Sequence, residues 1–278
     1  MMMTPTATLK RWTLRTLAAT CLTTVTAFTA ISPAWAAAPT LEAGKLQVGM
    51  EVSYPPFESW QGDQVVGFDA DVSHALAKHL NTSVTFEDTK FTSLILGLQS
   101  QKFDTVISGM YVTPERLKQA DAIPYAKTGA LIIVPKNGNI NPQTERDLCG
   151  VTIGLQQGTV WVSALGKLST EYCQANGKAA IEVREFPTAP EVTQALMSGN
   201  IQAQMEIAGA ARMFVERTRG RLKISSPDLV YPQTLGIYVK QGNTALKTAL
   251  AQALQAMRDD GTYQKLLDQY KLQPVTAE

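Results

Sequence analysis

The sequence predicts an α/β fold in two lobes. Three observations lead to this: strand-like and helical patterns alternate from residue 46 onward, the alternation restarts midway along the chain, and a long amphipathic run closes it. Alternation of this kind is typical of α/β proteins, in which helices cover a central sheet. The chain has 278 residues, which is enough to bury one large core or two smaller ones.

The first half of the chain carries the clearest periodic patterns. Strands are predicted at 46–50, 84–87 and 105–108, and helices at 69–80 and 93–99. In the first helix, apolar residues recur at helical spacing, so one face packs on the sheet. A further helix begins after Thr113, because a threonine cap, Pro114 at the first helical position and Glu115 in the first turn coincide.

A crossing into a second lobe is predicted after the strand-like stretch 129–134, since turn residues at 135–139 follow it and the alternation then restarts. The second lobe is expected to contain strands at 151–155, 181–186, 201–207 and 222–225, with helices after Gly158, Ala189 and Ala208. A further strand at 233–239 precedes a helix whose apolar face is formed by Leu246, Leu250, Leu254 and Met257. Gly261 ends that helix and Thr262 starts another.

The first 36 residues read as a secretory signal peptide. Lys10, Arg11 and Arg15 give a basic start, 17–31 is an apolar run, and the small residues of 34–36 provide a cleavage site. The apolar run is shorter than the roughly 20 residues that a membrane-spanning helix needs. We therefore expect export to the periplasm and a mature chain that begins near Ala37.

Charge and cysteine content narrow the function classes. The first 36 residues hold three of the 25 basic residues and none of the 24 acids, so the mature chain carries a net charge near −2 and no basic patch for nucleic acid. Cys149 and Cys173 remain after cleavage. An even number of cysteines in an exported chain indicates a disulfide, with two independent buried thiols as the alternative. No ligand-rich cluster surrounds either cysteine, so no metal or other cofactor is expected.

Four stretches occur together in a characteristic order and spacing: LQVGMEVSYPPFE at 46–58, GFDAD at 67–71, KFDTVISGMYVTPER at 102–116 and GVTIGLQQGT at 150–159. The sequence DGTYQKLL follows near the C-terminus. Each motif alone is weak, but jointly they resemble the polar-amino-acid solute-binding proteins of ATP-driven importers, bacterial solute-binding protein family 3. The likeness covers nearly all of the mature chain.

The resemblance implies a type II periplasmic binding fold, in which each lobe has a mixed central sheet flanked by helices and two hinge crossings join the lobes. The crossings would lie near 126–130 and 233–236. Lobe 1 would then comprise 37–128 and 234–278, and lobe 2 would comprise 129–233. The implied partners are a small amino-acid-like solute held between the lobes and the membrane permease of an ABC importer, with a monomer as the expected state.

The resemblance also implies roles for individual residues. Arg116 would bind the carboxylate of the solute, for which a planar guanidinium is well suited. From the other lobe, backbone N–H groups at Thr159 and Val160 would reach the same carboxylate. The rings of Tyr54 and Phe91 would enclose the side chain of the solute. The alternative for both aromatic residues is a place in the core.

Recognition of an α-ammonium group is where the sequence departs from the family pattern. The family's strand aspartate falls in register on Ile207, and Glu206 is the nearest carboxylate, which a slip or a bulge would have to present. Alternatively, the Gly109 carbonyl and the Ser108 hydroxyl accept the ammonium. A second departure is Tyr111, where the family has a small hydroxyl residue. An amino-acid derivative, an opine-like conjugate or a displaced amine therefore stay open beside an ordinary α-amino acid.

Side-chain selectivity is assigned to Glu51, Gln156, Gln157 and Glu206, a polar set with two acids that suits a cationic or amide-bearing solute. The alternative is that Glu51 pairs with a nearby lysine and the glutamines face water. The resemblance implies a binding protein that is not an enzyme. Two other functions stay open: a cyclohexadienyl dehydratase-like enzyme on the same fold, with Glu206 as general acid, and a sensor module.

Overall fold

The structure, a computed structural model, describes residues 38–275. The signal peptide predicted at 1–36 lies outside the described residues. Within 38–275, none of the helices combines the length and the hydropathy of a membrane-spanning segment.

The described chain alternates strands and helices as the sequence predicts. Its strands are β1 (Lys45–Met50), β2 (Ser53–Tyr54), β3 (Glu58–Gln61), β4 (Gln64–Val66), β5 (Ser83–Asp88), β6 (Thr105–Val106), β7 (Ala120–Pro135), β8 (Thr152–Gln156), β9 (Glu182–Phe186), β10 (Ala203–Ile207), β11 (Leu222–Ile224) and β12 (Val230–Lys240). Its α-helices are α1 (Phe68–His79), α2 (Leu94–Gln99), α3 (Pro114–Leu117), α4 (Val160–Leu168), α5 (Ala189–Met197), α6 (Ala208–Arg217), α7 (Thr244–Asp259) and α8 (Thr262–Tyr270).

The sheet order within the described residues is β5–β1–β6–β12–β7–β10–β8–β9, with β11 paired to β7. The outer pairs β1–β5, β1–β6, β8–β9 and β8–β10 are parallel, whereas the central strands β7 and β12 are antiparallel to each other. We call the half that contains β1, β5, β6, α1, α7 and α8 lobe 1, and the half that contains β8 to β11 and α4 to α6 lobe 2. The predicted two-lobed α/β architecture is therefore confirmed.

The central strands β7 and β12 belong to both lobes. They pair along most of their length, from Lys240 opposite Ala120 to Val230 opposite Ala130, with shifts of register near Gln233 and Gly236. As a result, the sheets of the two lobes are hydrogen-bonded into one continuous sheet rather than being separated by irregular linkers. Irregularities in a ladder bend and twist a strand locally, which suits them to a hinge.

Burial follows the predicted apolar faces. The predicted face of α7 is at most 1% exposed and packs in the same core as the strand residues Leu46 and Val48 and the α1 residue Leu76. Lobe 2 has its own cluster between α5, α6 and the central strands. These two hydrophobic clusters fix the positions of the strand ends that meet between the lobes.

Two local departures from the predicted elements shape the cleft. The strand predicted at 105–108 is paired only over Thr105–Val106, because Ser108 and Gly109 leave the ladder and their polar groups bond to side chains instead. The hairpin strands β2 to β4 were not predicted, since each is only two to four residues long. Both departures lie at the C-terminal ends of lobe 1 strands, where ligands bind in open α/β sheets.

Cys149 and Cys173 form a disulfide, as predicted. It joins the residue that precedes the β8 region to the turn that follows α4. Cys173 is fully buried. The bridge therefore ties the two segments that lead into and out of the lobe 2 wall of the cleft.

Candidate ligand-binding site

A narrow cavity lies where the two lobes face each other. Ten of the eleven predicted site residues line it: Glu51, Tyr54, Phe91, Ser108, Gly109, Tyr111, Arg116, Gln156, Thr159 and Val160. Three further residues that were not predicted to bind solute complete the lining, namely Glu58, Trp161 and Ile207. Glu206, the eleventh predicted residue, reaches the cavity wall only through a hydrogen bond.

Arg116 lies in the first turn of α3, which the sequence places correctly. The Thr113 hydroxyl caps that helix by accepting from the Arg116 backbone N–H at 3.2 Å. The guanidinium donates to the Tyr111 carbonyl at 2.7 Å and, across the cleft, to the Gly158 carbonyl at 3.1 Å. It also lies 5.5 Å from the centre of the Phe91 ring.

The guanidinium of Arg116 has no carboxylate partner among residues 38–275, because each ion pair there involves other residues. Burial lowers the pKa of Arg116, which nevertheless stays a cation because arginine ionises far above neutral pH. An anion is therefore the group that this side chain lacks.

Lobe 2 faces Arg116 with the beginning of α4. Val160 is the first residue of that helix, and the first N–H groups of a helix have no partner within it. The Thr159 N–H already donates to the Gln156 carbonyl, over 3.3 Å. Both residues line the cavity, so a positive helix end and a guanidinium converge from opposite lobes.

The opposite part of the cavity is acidic. Glu51 is 6% exposed, accepts from the Phe91 N–H at 3.3 Å, and receives a short hydrogen bond from the Gln156 side chain of lobe 2. It makes no ion pair with any lysine in the described chain, contrary to the alternative reading. Burial raises the pKa of Glu51, because no positive charge offsets the loss of water. Gln157, by contrast, is exposed.

A second cross-lobe hydrogen bond joins Tyr54 and Glu206. The Tyr54 hydroxyl donates to Glu206 at 2.7 Å, and Gln204 donates to the other carboxyl oxygen at 3.1 Å. Burial raises the pKa of Glu206 to about 7. The Tyr54 ring stacks on Phe57, with their centres 5.6 Å apart.

Ile207 occupies the cavity wall at the position that follows Glu206. Residues adjacent in a strand point to opposite faces, and β10 pairs with β7 in regular register from Gln204 to Ile207, without the bulge that would present both. Ile207 is 3% exposed, and its terminal methyl lies near Gly109. The wall opposite Gly109 is therefore apolar.

Among the buried hydrogen-bond donors that lack partners in the described part of the chain, two belong to residues that line the cavity. They are the Tyr111 hydroxyl and the Trp161 indole N–H, on residues that are 3% and 2% exposed. Their rings contact edge to face, with centres 5.8 Å apart, and both residues line the cavity from opposite lobes. An unsatisfied buried polar group costs about 1–3 kcal/mol, which makes both donors available to a bound molecule.

Trp161 was not predicted, because the motif that indicates this part of the site ends at Thr159. The feature that could have indicated it is an aromatic residue in the first turn of a helix that begins at the predicted cleft. No cluster of three or more potential metal ligands occurs among residues 38–275. The described site is thus built from a guanidinium, helix N–H groups, two carboxyl groups and aromatic rings.

A polar cavity between two α/β lobes that share two central strands defines the class of two-lobed type II binding folds. The family model described as bacterial extracellular solute-binding proteins, family 3, matches residues 46–273. This match covers most of the chain. The chain therefore belongs to the family 3 bacterial extracellular solute-binding proteins.

Known relatives agree with this assignment. The ABC transporter arginine-binding protein 1 of Escherichia coli K12 is 33% identical over 234 residues, which is 82% of this chain and 91% of that protein. The L-cystine-binding protein TcyJ of Escherichia coli K12 is 31% identical, covering 82% of this chain and 83% of the relative. The histidine-binding periplasmic protein of Salmonella typhimurium LT2 is also 31% identical, covering 90% and 94%.

Solved structures show the same fold. An ancestral arginine-binding protein bound to arginine is 34% identical with a TM-score of 0.75, covering 82% of this chain and 98% of that one. The ancestral amino acid-binding protein AncCDT-1, a precursor of cyclohexadienyl dehydratase, is 31% identical with a TM-score of 0.68, covering 82% and 95%. The type II two-lobed fold that the sequence predicted is confirmed by these similarities.

Proposed function

We propose that this chain is the periplasmic solute-binding component of an ABC importer, and that it holds an amino acid or an amino-acid-like solute between its lobes. Relatives whose names state arginine, cystine and histidine binding support this. The observation that carries the proposal is the meeting of Arg116 and the start of α4 at one cavity. A cation and a helix N-terminus converge there from opposite lobes.

The carboxylate of the solute would bind at Arg116. A charge-assisted hydrogen bond is worth about 1.5–3 kcal/mol, or roughly ten- to a hundredfold in affinity. The Val160 N–H would donate from lobe 2 to the same group. The solute would then displace the contact between Arg116 and the Gly158 carbonyl, and would be held by both lobes.

The far end of the solute would meet Glu51 and Gln156. The Glu51 carboxyl group and the Gln156 amide are nearly inaccessible to water, so they favour a cationic or amide-bearing group of the solute. Such a group supplies the hydrogen-bond donors and the positive charge that compensate a buried carboxyl group for the loss of water. Tyr54 and Phe91 would contact the apolar stem between the two ends. This arrangement fits the mixture of polar and aromatic residues in the lining.

The unpartnered donors of Tyr111 and Trp161 favour a solute with an oxygen acceptor beyond its α-carboxylate. An amide, a second carboxylate or an N-acyl carbonyl each provides one. Both donors belong to residues that line the cavity, so an acceptor of the solute would reach them from there. The proposal therefore covers amino-acid derivatives as well as amino acids.

We propose lobe boundaries at 128/129 and 233/234, inside the paired strands β7 and β12. Within residues 38–275, three direct hydrogen bonds cross the cleft: Tyr54 to Glu206, Gln156 to Glu51, and Arg116 to Gly158. Each one uses a residue proposed to bind solute, so solute binding exchanges these contacts for contacts to the solute. A solute shifts the equilibrium between open and closed forms by its differential affinity for them, and the permease would recognise the closed form.

An enzymatic alternative rests on Glu206 and on the dehydratase connection of AncCDT-1. A carboxyl group with a pKa raised to about 7 is partly protonated at neutral pH, which is suitable for a general acid. We favour binding without catalysis, because Glu206 is engaged by Tyr54 and Gln204 and does not itself line the cavity. Incubation with prephenate or arogenate tests this: formation of the aromatic product would establish the enzyme.

Native mass spectrometry of the protein as purified tests the proposed function directly. The expected result is a monomer that carries a small, carboxylate-containing molecule, released when the protein is unfolded. Nucleic acid is not expected, given a mature net charge near −2. A protein that neither retains nor binds any amino acid or amino-acid derivative would contradict the proposal.

A further inference from the structure

Two carboxyl groups lie buried together next to the Ser108–Gly109 wall of the cavity, and one of them, Glu58, is itself part of the lining. Glu58 begins β3 and Asp69 lies in the first turn of α1, and both side chains are fully buried. They are neighbours: the Asp69 backbone N–H donates to the carbonyl of Phe57, the residue before Glu58, at 2.9 Å, and the consecutive residues Ser108 and Gly109 donate to Glu58 and to Asp69. Neither forms an ion pair in the described chain. The two groups therefore form a buried pair without a compensating cation.

The donors around this pair are distributed unequally. Asp69 receives a hydrogen bond on each oxygen, from the Tyr125 hydroxyl at 2.6 Å and from the Gly109 N–H. Glu58 receives one, from the Ser108 hydroxyl at 2.7 Å, and its other oxygen has no donor among residues 38–275. Hydrogen bonds to a carboxylate stabilise its charged form, so the environment favours an ionised Asp69 and a protonated Glu58.

Electrostatics leads to the same assignment. Two like charges in contact and away from water cannot both persist, so one carboxyl group retains a proton. Burial raises the pKa of Glu58 well above its usual value, and the neighbouring Asp69 raises it further. The other titratable groups near the pair are Glu51, Tyr125, Tyr238 and Tyr270. None of these groups is a cation.

The pair fixes the hydrogen-bonding character of Ser108. A serine hydroxyl has one proton and two acceptor lone pairs. Its proton is donated to Glu58, and one lone pair accepts from the Glu51 backbone N–H at 3.1 Å. One lone pair remains on a residue that lines the cavity. The Gly109 N–H is likewise occupied by Asp69, so this wall offers acceptors and no donors to a solute.

We propose that Glu58 and Asp69 share one proton and act as positioning residues, which makes the Ser108 wall specific for a positively charged N–H group of the solute. Glu58 engages the Ser108 hydroxyl proton, so that the Ser108 oxygen is left as an acceptor, and the single remaining negative charge lies on Asp69, which accepts from the adjacent Gly109 N–H. The negative charge of the pair balances the positive charge of the solute, which the apolar side chain of Ile207 cannot do. The inference rests on the proposed function only for the identity of the solute, since the shared proton is a property of the chain alone.

Infrared spectroscopy tests the shared proton without any solute. The Glu58→Gln variant reproduces the shape and hydrogen bonds of a protonated glutamic acid. Wild-type protein at neutral pH should show the carbonyl stretch of a buried carboxylic acid, and the difference spectrum against Glu58→Gln should contain this band. A Glu185→Gln substitution at an exposed acid is the control and should leave the band unchanged. Identical spectra for wild type and Glu58→Gln would overturn the shared proton.

A second measurement uses stability. The folded protein retains one proton on the pair, whereas the unfolded chain releases that proton above the usual glutamate pKa. Rising pH therefore favours unfolding of wild type relative to Glu58→Gln. The ratio of the two unfolding constants should grow by up to about tenfold per pH unit between about pH 5 and about pH 7. A ratio independent of pH would contradict the proposal. If Glu58→Gln does not fold, the same band can be measured in a protein that is labelled with ¹³C-carboxyl glutamate and carries the changes Glu51→Gln and Glu206→Gln. Glu58 is then the one remaining buried glutamate in the described chain, so the labelled carboxylic acid band belongs to it.

Solute specificity is tested by thermal shift with matched pairs. The probes are L-arginine, L-histidine and L-glutamine, each against its analogue without the α-amino group: guanidinovaleric acid, imidazolepropionic acid and glutaramic acid. Amino forms should raise the melting temperature more than their analogues, and Ser108→Ala should abolish the difference. A preference for the analogues would overturn the specificity. If no probe binds, the proposed function is contradicted for these solutes, whereas the infrared result decides the shared proton independently.

Discussion

Tyr54 of lobe 1 donates its hydroxyl proton to Glu206 of lobe 2, with 2.7 Å between the two oxygens. This bond crosses the cleft between a residue that lines the cavity and a carboxyl group that lies behind it. The buried carboxyl group is therefore bonded to the opposite lobe, although it does not itself line the cavity. Both residues were assigned to the cleft from the sequence, but the bond between them was not.

Stability should depend on pH through Glu206. Its pKa is raised to about 7 in the folded protein, so the stability it contributes is fully present at acidic pH and is lost as the pH rises through this value. Linkage over such a shift amounts to about 3 kcal/mol. Urea unfolding as a function of pH should show this decline in wild type and a flatter profile in Glu206→Gln, which keeps an acceptor for Tyr54. Parallel profiles for the two proteins would mean that Glu206 does not titrate as described.

Removal of the Arg116 guanidinium should weaken solute binding. In Arg116→Ala the affinity for the solute identified by native mass spectrometry should fall by roughly ten- to a hundredfold, the loss expected for a charge-assisted hydrogen bond. Isothermal titration calorimetry measures the change. Arg184→Ala, at an exposed arginine paired with Glu182, is the matched control and should bind normally. Equal affinities in all three proteins would refute the carboxylate role of Arg116.

The Tyr111 hydroxyl should be dispensable for folding and needed for binding. Because it has no partner within the described residues, Tyr111→Phe should keep or slightly raise the stability of the solute-free protein while weakening the solute complex. Tyr125→Phe is the opposite case, since its hydroxyl donates to Asp69, and should cost about 1–3 kcal/mol of stability. Thermal unfolding and calorimetry distinguish the two. A large stability loss in Tyr111→Phe would show that its hydroxyl has an unrecognised partner.

The disulfide should stabilise lobe 2 without affecting solute recognition. Cys149 and Cys173 are 24 residues apart, and a loop of this size corresponds to about 3 kcal/mol. The double variant Cys149→Ser, Cys173→Ser should lose about 2–4 kcal/mol in urea unfolding but keep its affinity, because neither cysteine lines the cavity. Wild type under reducing conditions should behave in the same way. A loss of affinity at temperatures where the variant remains folded would place the bridge in the binding mechanism.

Much of the fold was readable from local patterns. The Thr113 cap placed the start of α3, and the apolar spacing of Leu246 and Leu250 placed α7, because capping and amphipathicity depend on residues within a few turns. The short hairpin strands β2 to β4 escaped notice, since runs of two to four residues carry too little periodicity. The continuous pairing of β7 with β12 was also unforeseen, because ladder partners separated by about a hundred positions leave no local signal.

The site residues likewise divide into those that the sequence predicts and those that only the structure identifies. The sequence predicted ten of the lining residues as solute-binding, including Arg116 and Glu51, but did not predict this role for Glu58, Trp161 or Ile207. Whether a glutamine faces water or the cavity depends on strand orientation and on the opposite lobe: Gln156 is buried against Glu51, whereas its neighbour Gln157 is exposed. Such distinctions require coordinates.

The sequence by itself determined the α/β class, the signal for export, the cysteine pair and the positions of the site motifs, because each is encoded in composition or in residues close along the chain. The tertiary structure alone decided which polar groups have partners. Among residues 38–275 it left the Tyr111 hydroxyl and the Trp161 N–H without acceptors, and it buried Glu58 and Asp69 next to each other. Hydrogen-bond satisfaction and the sharing of a proton depend on groups that are distant in sequence and meet only when the chain folds.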